Sequence, residues 1–336
     1  MLRTLPLRLA RMVLSLVGIT VVTFLMMDLA PGNRAELAVA GGAHDLGAPP
    51  RAGSLDLLRE QWGLVDPETQ RPYSVWERYG HWLARASRLD FAGPGEDPAA
   101  FRRRILDALP VTLLLNAVSL GVALLVAVPL GTWLGLRAGS AVDRAASGAM
   151  FFVWGVPEFV VATLLLLAFA GGWGEALLPG RGLQSDAIHA MSGVERALDM
   201  AAHLVLPVTS LAIAPAILMT RFLRDSVAKA AQSEFVRALR GWGLPESFVR
   251  QRVRANGLSP LVTLCGVLLP GLVSGSIVVE NVFSLPGLGS LAFRAAMDQE
   301  YPMVMALTLL VGVSTLLGTL LSDLLHRAID PRVELR

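Results

Sequence analysis

Several short stretches hold residues whose types and spacing could do chemistry. The string PGLGSLA, Pro286 to Ala292, has the Gly-x-Gly-x-x-Ala spacing of a dinucleotide-binding turn. That fingerprint needs a preceding strand and a βαβ unit. Here it follows a long apolar run, so a tight turn or a re-entrant loop is the better expectation. In LVSGSIV, Leu272 to Val278, Ser274 and Ser276 lie inside an apolar run. An intramembrane serine nucleophile needs a histidine base at the same depth. His203 sits at the edge of a run, and the other histidines lie in loops or at the end of the last run. Close packing between small residues is therefore the expected role of these serines. A nucleotide-hydrolysing P-loop is excluded, because the single lysine, Lys229, is followed by Ala230 rather than Ser or Thr. Glu158, directly after Pro157, is the remaining candidate: an ionisable group deep in an otherwise apolar run. Such a group costs about 2.5–3.5 kcal/mol on insertion scales and faces either a cavity or a partner. Two readings stay open, contact with a transport pathway or a hydrogen bond to a neighbouring helix, with Asn116 as the candidate partner.

The elements that must position these residues are membrane spans. The chain of 336 residues is 54% hydrophobic and only 17% charged, with a mean hydropathy of +0.56. A soluble domain carries about 25% charged residues. A net charge of +2 gives no reason to expect nucleic acid as a partner. The lone Cys265 rules out an internal disulfide or a cysteine metal site and is expected to pack as a small hydrophobe. Six apolar runs, 12–29, 111–136, 145–170, 204–220, 258–279 and 303–322, approach the roughly 20 residues that cross a bilayer. In lipid they must be helices. The predicted fold class is therefore all-α and polytopic. The first run could be a signal peptide ending near Ala38-Val39-Ala40, but that triplet lies far beyond the run, so an uncleaved span is expected.

Arginine placement sets the orientation. With the N-terminus in the cytoplasm, the short inside segments hold sixteen basic residues, and the short outside loops hold three: Arg181, Arg196 and Arg294. Both termini are then cytoplasmic. The predicted layout is a first transmembrane helix (1–30), an extracytoplasmic loop domain (31–110), a five-helix core (111–322) with a basic cytoplasmic loop at 221–257, and a cytoplasmic tail (323–336). Within the long loop, Trp76, Tyr79 and Leu83 recur at helical spacing. They predict an amphipathic helix, either resting on the outer membrane interface or packing within the loop domain.

The cytoplasmic stretch EFVRALRGWGLPESFVRQRVRAN, Glu234 to Asn256, is punctuated beyond what retention inside the cell requires. Glu234 to Arg240 predict a helix, Gly241 and Gly243 break it, and Pro245 with Glu246 starts another. Phe248, Val249 and Val253 share one face of the second helix. A short helix–break–helix on the cytoplasmic surface suits a partner's groove.

This stretch resembles the coupling loop, or EAA motif, of ABC importer permeases, especially those of the dipeptide/oligopeptide/nickel branch. The similarity runs on through VVENVFSLPGLGSLAFRAAMDQEYPMVMA to the tail LLHRAIDPRVEL, and back to RLARMVLSLVGITVVTFLMMDLAPG at the start. Phe283 to Gly289 are its most specific part. Trp242 departs from the pattern, standing where a small or basic residue is usual. The resemblance implies the type I ABC importer fold, with an extracytoplasmic insertion between helices 1 and 2. It implies a coupling loop carried by Glu234, Phe235, Val236, Arg237, Ala238, Gly243, Leu244, Pro245 and Glu246. Glu280, Phe283, Pro286, Gly287 and Gly289 join Glu158, a candidate by its depth in the run, as candidates for the pathway or its gate. The implied partners are a second, homologous permease, two ATPase subunits that bind ATP and Mg, an extracytoplasmic binding protein, and the lipid bilayer of a bacterial inner membrane. No cofactor is expected in this chain. The implied cargo is peptide, although nickel chelates and some sugars use the same branch. A secondary transporter is the competing class, and it would need several intramembrane ionisable groups where only Glu158 qualifies.

Overall fold

Eleven α-helices account for most of the described chain. They are α1 (Leu5–Asp28), α2 (Val75–Ala86), α3 (Pro98–Gly135), α4 (Ala141–Trp154), α5 (Glu158–Phe169), α6 (Gly193–Ala231), α7 (Glu234–Gly241), α8 (Glu246–Leu268), α9 (Ile277–Val282), α10 (Leu288–Met297) and α11 (Tyr301–Ile329). This computed structural model describes residues 5–28, 65–66, 69, 71–88, 90–92, 96–298 and 300–329. Most of the first loop, the Ala38-Val39-Ala40 triplet and the end of the tail lie outside the described residues. Among the described residues the only β pairing is two isolated bridges, Val65 with Pro72 and Ala170 with Ala176.

Three of these helices, Pro98–Gly135, Gly193–Ala231 and the Tyr301–Ser322 part of α11, are long and apolar enough to cross a bilayer. Two runs that look continuous in the sequence are broken. The run at 145–170 splits into α4 and α5, which meet at 94° and together could form a fourth span. Gly155 ends α4, and Pro157, which has no N–H to donate, stands before α5. Glu158 is thus the first residue of a short helix and not the middle of a long one. The run at 258–279 also breaks. After Leu268 come a 3₁₀ turn, Leu269–Leu272, and Gly275 at φ +66°, before α9 begins. In the other direction, α3 starts at Pro98 rather than Val111, and Pro110 is accommodated inside it.

The described chain gathers into two compact units. The first comprises 1–107 and 291–313. There α2 opens with a capping box, in which Ser74 and Glu77 each accept a hydrogen bond from the other's backbone N–H. Its inward face shares only Tyr79 with the predicted stripe. Trp82 and Ala86 are buried with Met305, and Tyr79 sets its ring edge-on to Phe24 at 5.5 Å. The Tyr79 hydroxyl lies 3.0 Å from Thr20 Oγ1. Trp76 and Leu83 point outward. The apolar stripe was legible, but which part of it the rest of the unit covers was not.

The second unit comprises 108–290 and 314–336. Its centre is α6, against which α3 and α8 pack closely. Ala123, Ala127, Ala212, Met219 and Leu223 are buried together, with Leu258, Leu261, Leu264 and Cys265 beside them. Cys265 is a free thiol in this apolar setting, as expected. A second cluster of Leu115, Ala162, Leu206, Val208, Val279, Phe283 and Leu285 ties α5 and α9 to α3 and α6. Small residues let the backbones approach: a Cβ on Gly135 would lie 2.7 Å from the Arg224 carbonyl oxygen.

Candidate functional site

The helix–break–helix forms as the sequence suggested, and its termini explain why. Trp242 caps α7, and Gly243 follows at φ +70°. Gly243 N–H donates to the Arg240 carbonyl at 3.0 Å, and Leu244 N–H donates to the Leu239 carbonyl at 3.3 Å. These two bonds are a Schellman motif, which needs a left-handed residue at the position of Gly243. Gly241 sits inside the helix, so only one of the two glycines makes the break. The Pro245 carbonyl then accepts from Phe248 and Val249, opening α8.

An ion pair closes the turn. Arg240 donates through Nη2 and Nε to the two Glu246 carboxylate oxygens, at 2.8 and 3.2 Å. The hydrogen bonds from Arg240 hold the Glu246 carboxyl below its ordinary range. Both side chains are exposed, so the pair orients the two helices more than it stabilises them. Glu234 and Arg237 pair on the outer face of α7.

The two faces of the segment are chemically unlike. Val236, Val249 and Val253 are buried on Val227 of α6, and Leu239 and Leu136 pack at the edge of this cluster. Phe248 is half-buried, with the Arg252 guanidinium 5.1 Å from its ring centre. Away from α6, Trp242 is 77% exposed, and Phe235, Ala238, Arg237 and Pro245 are exposed beside it. The segment is thus a rigid projection held by valines and ending in an uncovered indole. Leu244 is half-buried in the turn.

One tie to this region was absent from the sequence reading. Arg224 on α6 grips Asp143 in the first turn of α4. The Asp143 side chain is enclosed, and the two Arg224 hydrogen bonds reach both of its carboxylate oxygens.

The other candidates lie around the two broken runs. Glu158 is exposed on the isolated chain, and Ser276 Oγ lies 3.4 Å from its Oε1. Asn116 is not its partner, because the Asn116 amide donates to the Leu272 carbonyl at 2.8 Å. Glu280, by contrast, is 1% exposed. Its Oε1 accepts from Thr112 Oγ1 at 2.9 Å, and its Oε2 accepts from Ser290 N–H at 2.8 Å. Thr112 Oγ1 in turn accepts from Leu288 N–H. The carboxylate thus serves orphan donors at the start of α10, where negative charge is favoured.

The glycines of the PGLG string wrap this carboxylate. A Cβ on Gly287 would fall 2.5 Å from Glu280 Oε2, and one on Gly289 would fall 3.0 Å from the same oxygen. Phe283 is buried beside them, whereas Pro286 is exposed. The dinucleotide-like spacing is therefore a backbone cradle for a side chain of the same protein. Ser274 Oγ donates to the Gly271 carbonyl and Ser276 Oγ accepts from Val279 N–H, so each serves its own chain's backbone. Buried His203 lies with Asp199 and Ser185, but the carboxylate sits between hydroxyl and ring, which is not the order of a charge relay.

Residues 127–335, which carry the α7–α8 segment and the PGLG string, match the family model described as binding-protein-dependent transport system inner membrane component. The chain belongs to this family. Relatives cover almost the whole chain. The oligopeptide transport system permease protein AppB of Bacillus subtilis is 29% identical over 326 residues, 95% of each chain. The dipeptide transport system permease protein DppB of Lactococcus lactis is 27% identical over 98% of each. The oligopeptide transport system permease protein OppB of Haemophilus influenzae is 29% identical over 93% of this chain and 92% of its own. The protein is accordingly a multi-helix membrane permease of an ABC transport system.

Proposed function

We propose that this permease is one subunit of an ATP-driven importer and forms half of the path for peptides delivered by an extracytoplasmic binding protein. A second, homologous permease supplies the other half, and two ATPase subunits bind and hydrolyse ATP. The observation that carries the reading is the α7–α8 projection, anchored by buried valines on one side and presenting Trp242 and arginines on the other. The relatives' names support peptide as the cargo. In this reading both termini and the projection are cytoplasmic, the chain crosses the inner membrane six times, and α1 and α8 complete the spans. Glu158 lines the path, where its exposed carboxylate offsets the positive amino terminus of a passing peptide. Glu280, Phe283 and the PGLG turn shape the outer end of the path as a fixed scaffold.

Proteoliposomes holding the four kinds of subunit test this. ATP is expected to drive peptide accumulation, and Glu158→Gln to slow cationic peptides about fivefold relative to anionic ones, as a loss of roughly 1 kcal/mol of charge interaction implies. Equal slowing of all peptides removes Glu158 from the path. Absence of ATP-dependent peptide uptake in the wild type overturns the assignment itself.

A further inference from the structure

The Asp143–Arg224 contact joins the two parts of the chain that a transport cycle must move together. Asp143 is almost wholly enclosed, with its side chain 2% exposed. Arg224 Nε donates to Oδ1 at 2.9 Å and Nη2 donates to Oδ2 at 2.5 Å. Gly139 N–H adds a third bond to Oδ2 at 2.8 Å, and Ser140 caps the helix that carries Asp143 in its first turn. The remaining Arg224 nitrogen, Nη1, reaches Asp225 at 2.7 Å. Two parallel bonds from a planar guanidinium fix orientation as well as distance, which a lysine ammonium does not.

The position of each partner gives the contact its meaning. Arg224 lies just before Val227 on the unbroken helix α6, and Val227 is the residue on which Val236, Val249 and Val253 pack. Displacement of the coupling segment therefore displaces Arg224. Asp143 stands at the other end of α4 from the 94° bend that leads to Glu158. A short rigid helix thus runs from the ion pair to the candidate pathway residue.

We propose that Asp143 and Arg224 are positioning residues for transport: their pair is the linkage that passes movement of the α7–α8 segment to the bent α4–α5 span and so to Glu158. The proposal rests on the reading of α7–α8 as the ATPase-docking segment. A linkage of this kind controls how much transport each ATP yields, whereas a purely structural pair controls only how much complex exists.

The test uses the complete complex in proteoliposomes, comparing wild type with Asp143→Asn, Arg224→Gln, the double variant and Arg224→Lys. Retained ATPase subunits, ATP hydrolysis and peptide uptake are measured on the same samples. The single variants are expected to keep their ATPase subunits and to hydrolyse ATP, with peptide taken up per ATP falling about tenfold. The double variant should fall no further than either single one, because both act through one contact. Arg224→Lys, which keeps the charge without the fork, should assemble fully and lie between wild type and Arg224→Gln. A ratio of uptake to hydrolysis equal to wild type in all variants overturns the linkage. So does a loss of assembled complex in every variant, the lysine variant included, with that ratio unchanged. A wild-type chain that fails to retain ATPase subunits overturns the docking reading, and the linkage with it.

Discussion

Gly243→Val is expected to abolish ATP-driven uptake while the chain still inserts and accumulates in the membrane. Gly243 adopts φ +70°, and a Cβ there would meet nothing within 4 Å. The penalty is therefore one of backbone conformation and not of crowding. A residue with a Cβ costs about 1–2 kcal/mol in the left-handed region, and β-branched side chains are strongly disfavoured there. Relieving that strain means abandoning the Schellman bonds to Arg240 and Leu239, which re-aims α8 relative to α7. The buried valines hold each helix to α6 separately, so the fold survives while the projection loses its shape. Gly241→Ala is the contrasting substitution. Gly241 is helical with open space around it, so alanine keeps the turn and favours the helix. Uptake assayed alongside membrane content of the chain distinguishes these outcomes. Normal uptake by Gly243→Val would mean that the turn's geometry is irrelevant to transport.

The second large effect is expected at Gly287. Alanine there would place a methyl 2.5 Å from the Glu280 carboxylate, which is enclosed by Thr112, Ser290 and the neighbouring glycines. The carboxylate has to move and give up hydrogen bonds at the start of α10. Overpacking and an orphaned buried donor together cost about 2–5 kcal/mol. Gly287→Ala is thus expected to lower the melting temperature of the purified permease by several degrees and to reduce its yield. Glu280→Ala should do the same for the opposite reason, leaving Thr112 and Ser290 N–H without their acceptor. Combining the two should cost less than their sum, because the methyl of the first occupies space the second vacates. Unchanged melting of Gly287→Ala would show that the cradle yields easily and that the glycine is not needed for close approach.

Features set by local chemistry were the ones legible in the sequence. The α7–α8 break could be read because Gly243 and Pro245 act through their own backbone angles, whatever surrounds them. Val249 and Val253 were placed on one face because helical spacing alone dictates it, and that face is buried. Hydropathy misled where it averages over a break. The run at 145–170 reads as one span by hydropathy, and although Pro157 marked a kink in it, the averaging placed Glu158 at mid-helix rather than at the start of a separate helix. The same averaging concealed the turn at Gly275. Pairings distant along the chain left no local trace. Nothing in the spacing of Asp143 and Arg224, or of Thr112 and Glu280, announces that they meet. A buried carboxylate does, however, leave one signal in the sequence: glycines clustered where no nucleotide could bind, as in the PGLG string that cradles Glu280.

In the proposed function the α7–α8 projection is the handle by which the ATPase subunits hold this permease. A photoreactive amino acid in place of Trp242, which is 77% exposed at the tip of the turn, tests it in intact cells expressing the whole transport system. Irradiation is expected to yield one dominant crosslink, to an ATP-binding cassette subunit identified by mass spectrometry, and to fix the projection on the cytoplasmic side at the same time. A crosslink to the extracytoplasmic binding protein, or none to either ATPase subunit despite an assembled and active complex, would contradict the account.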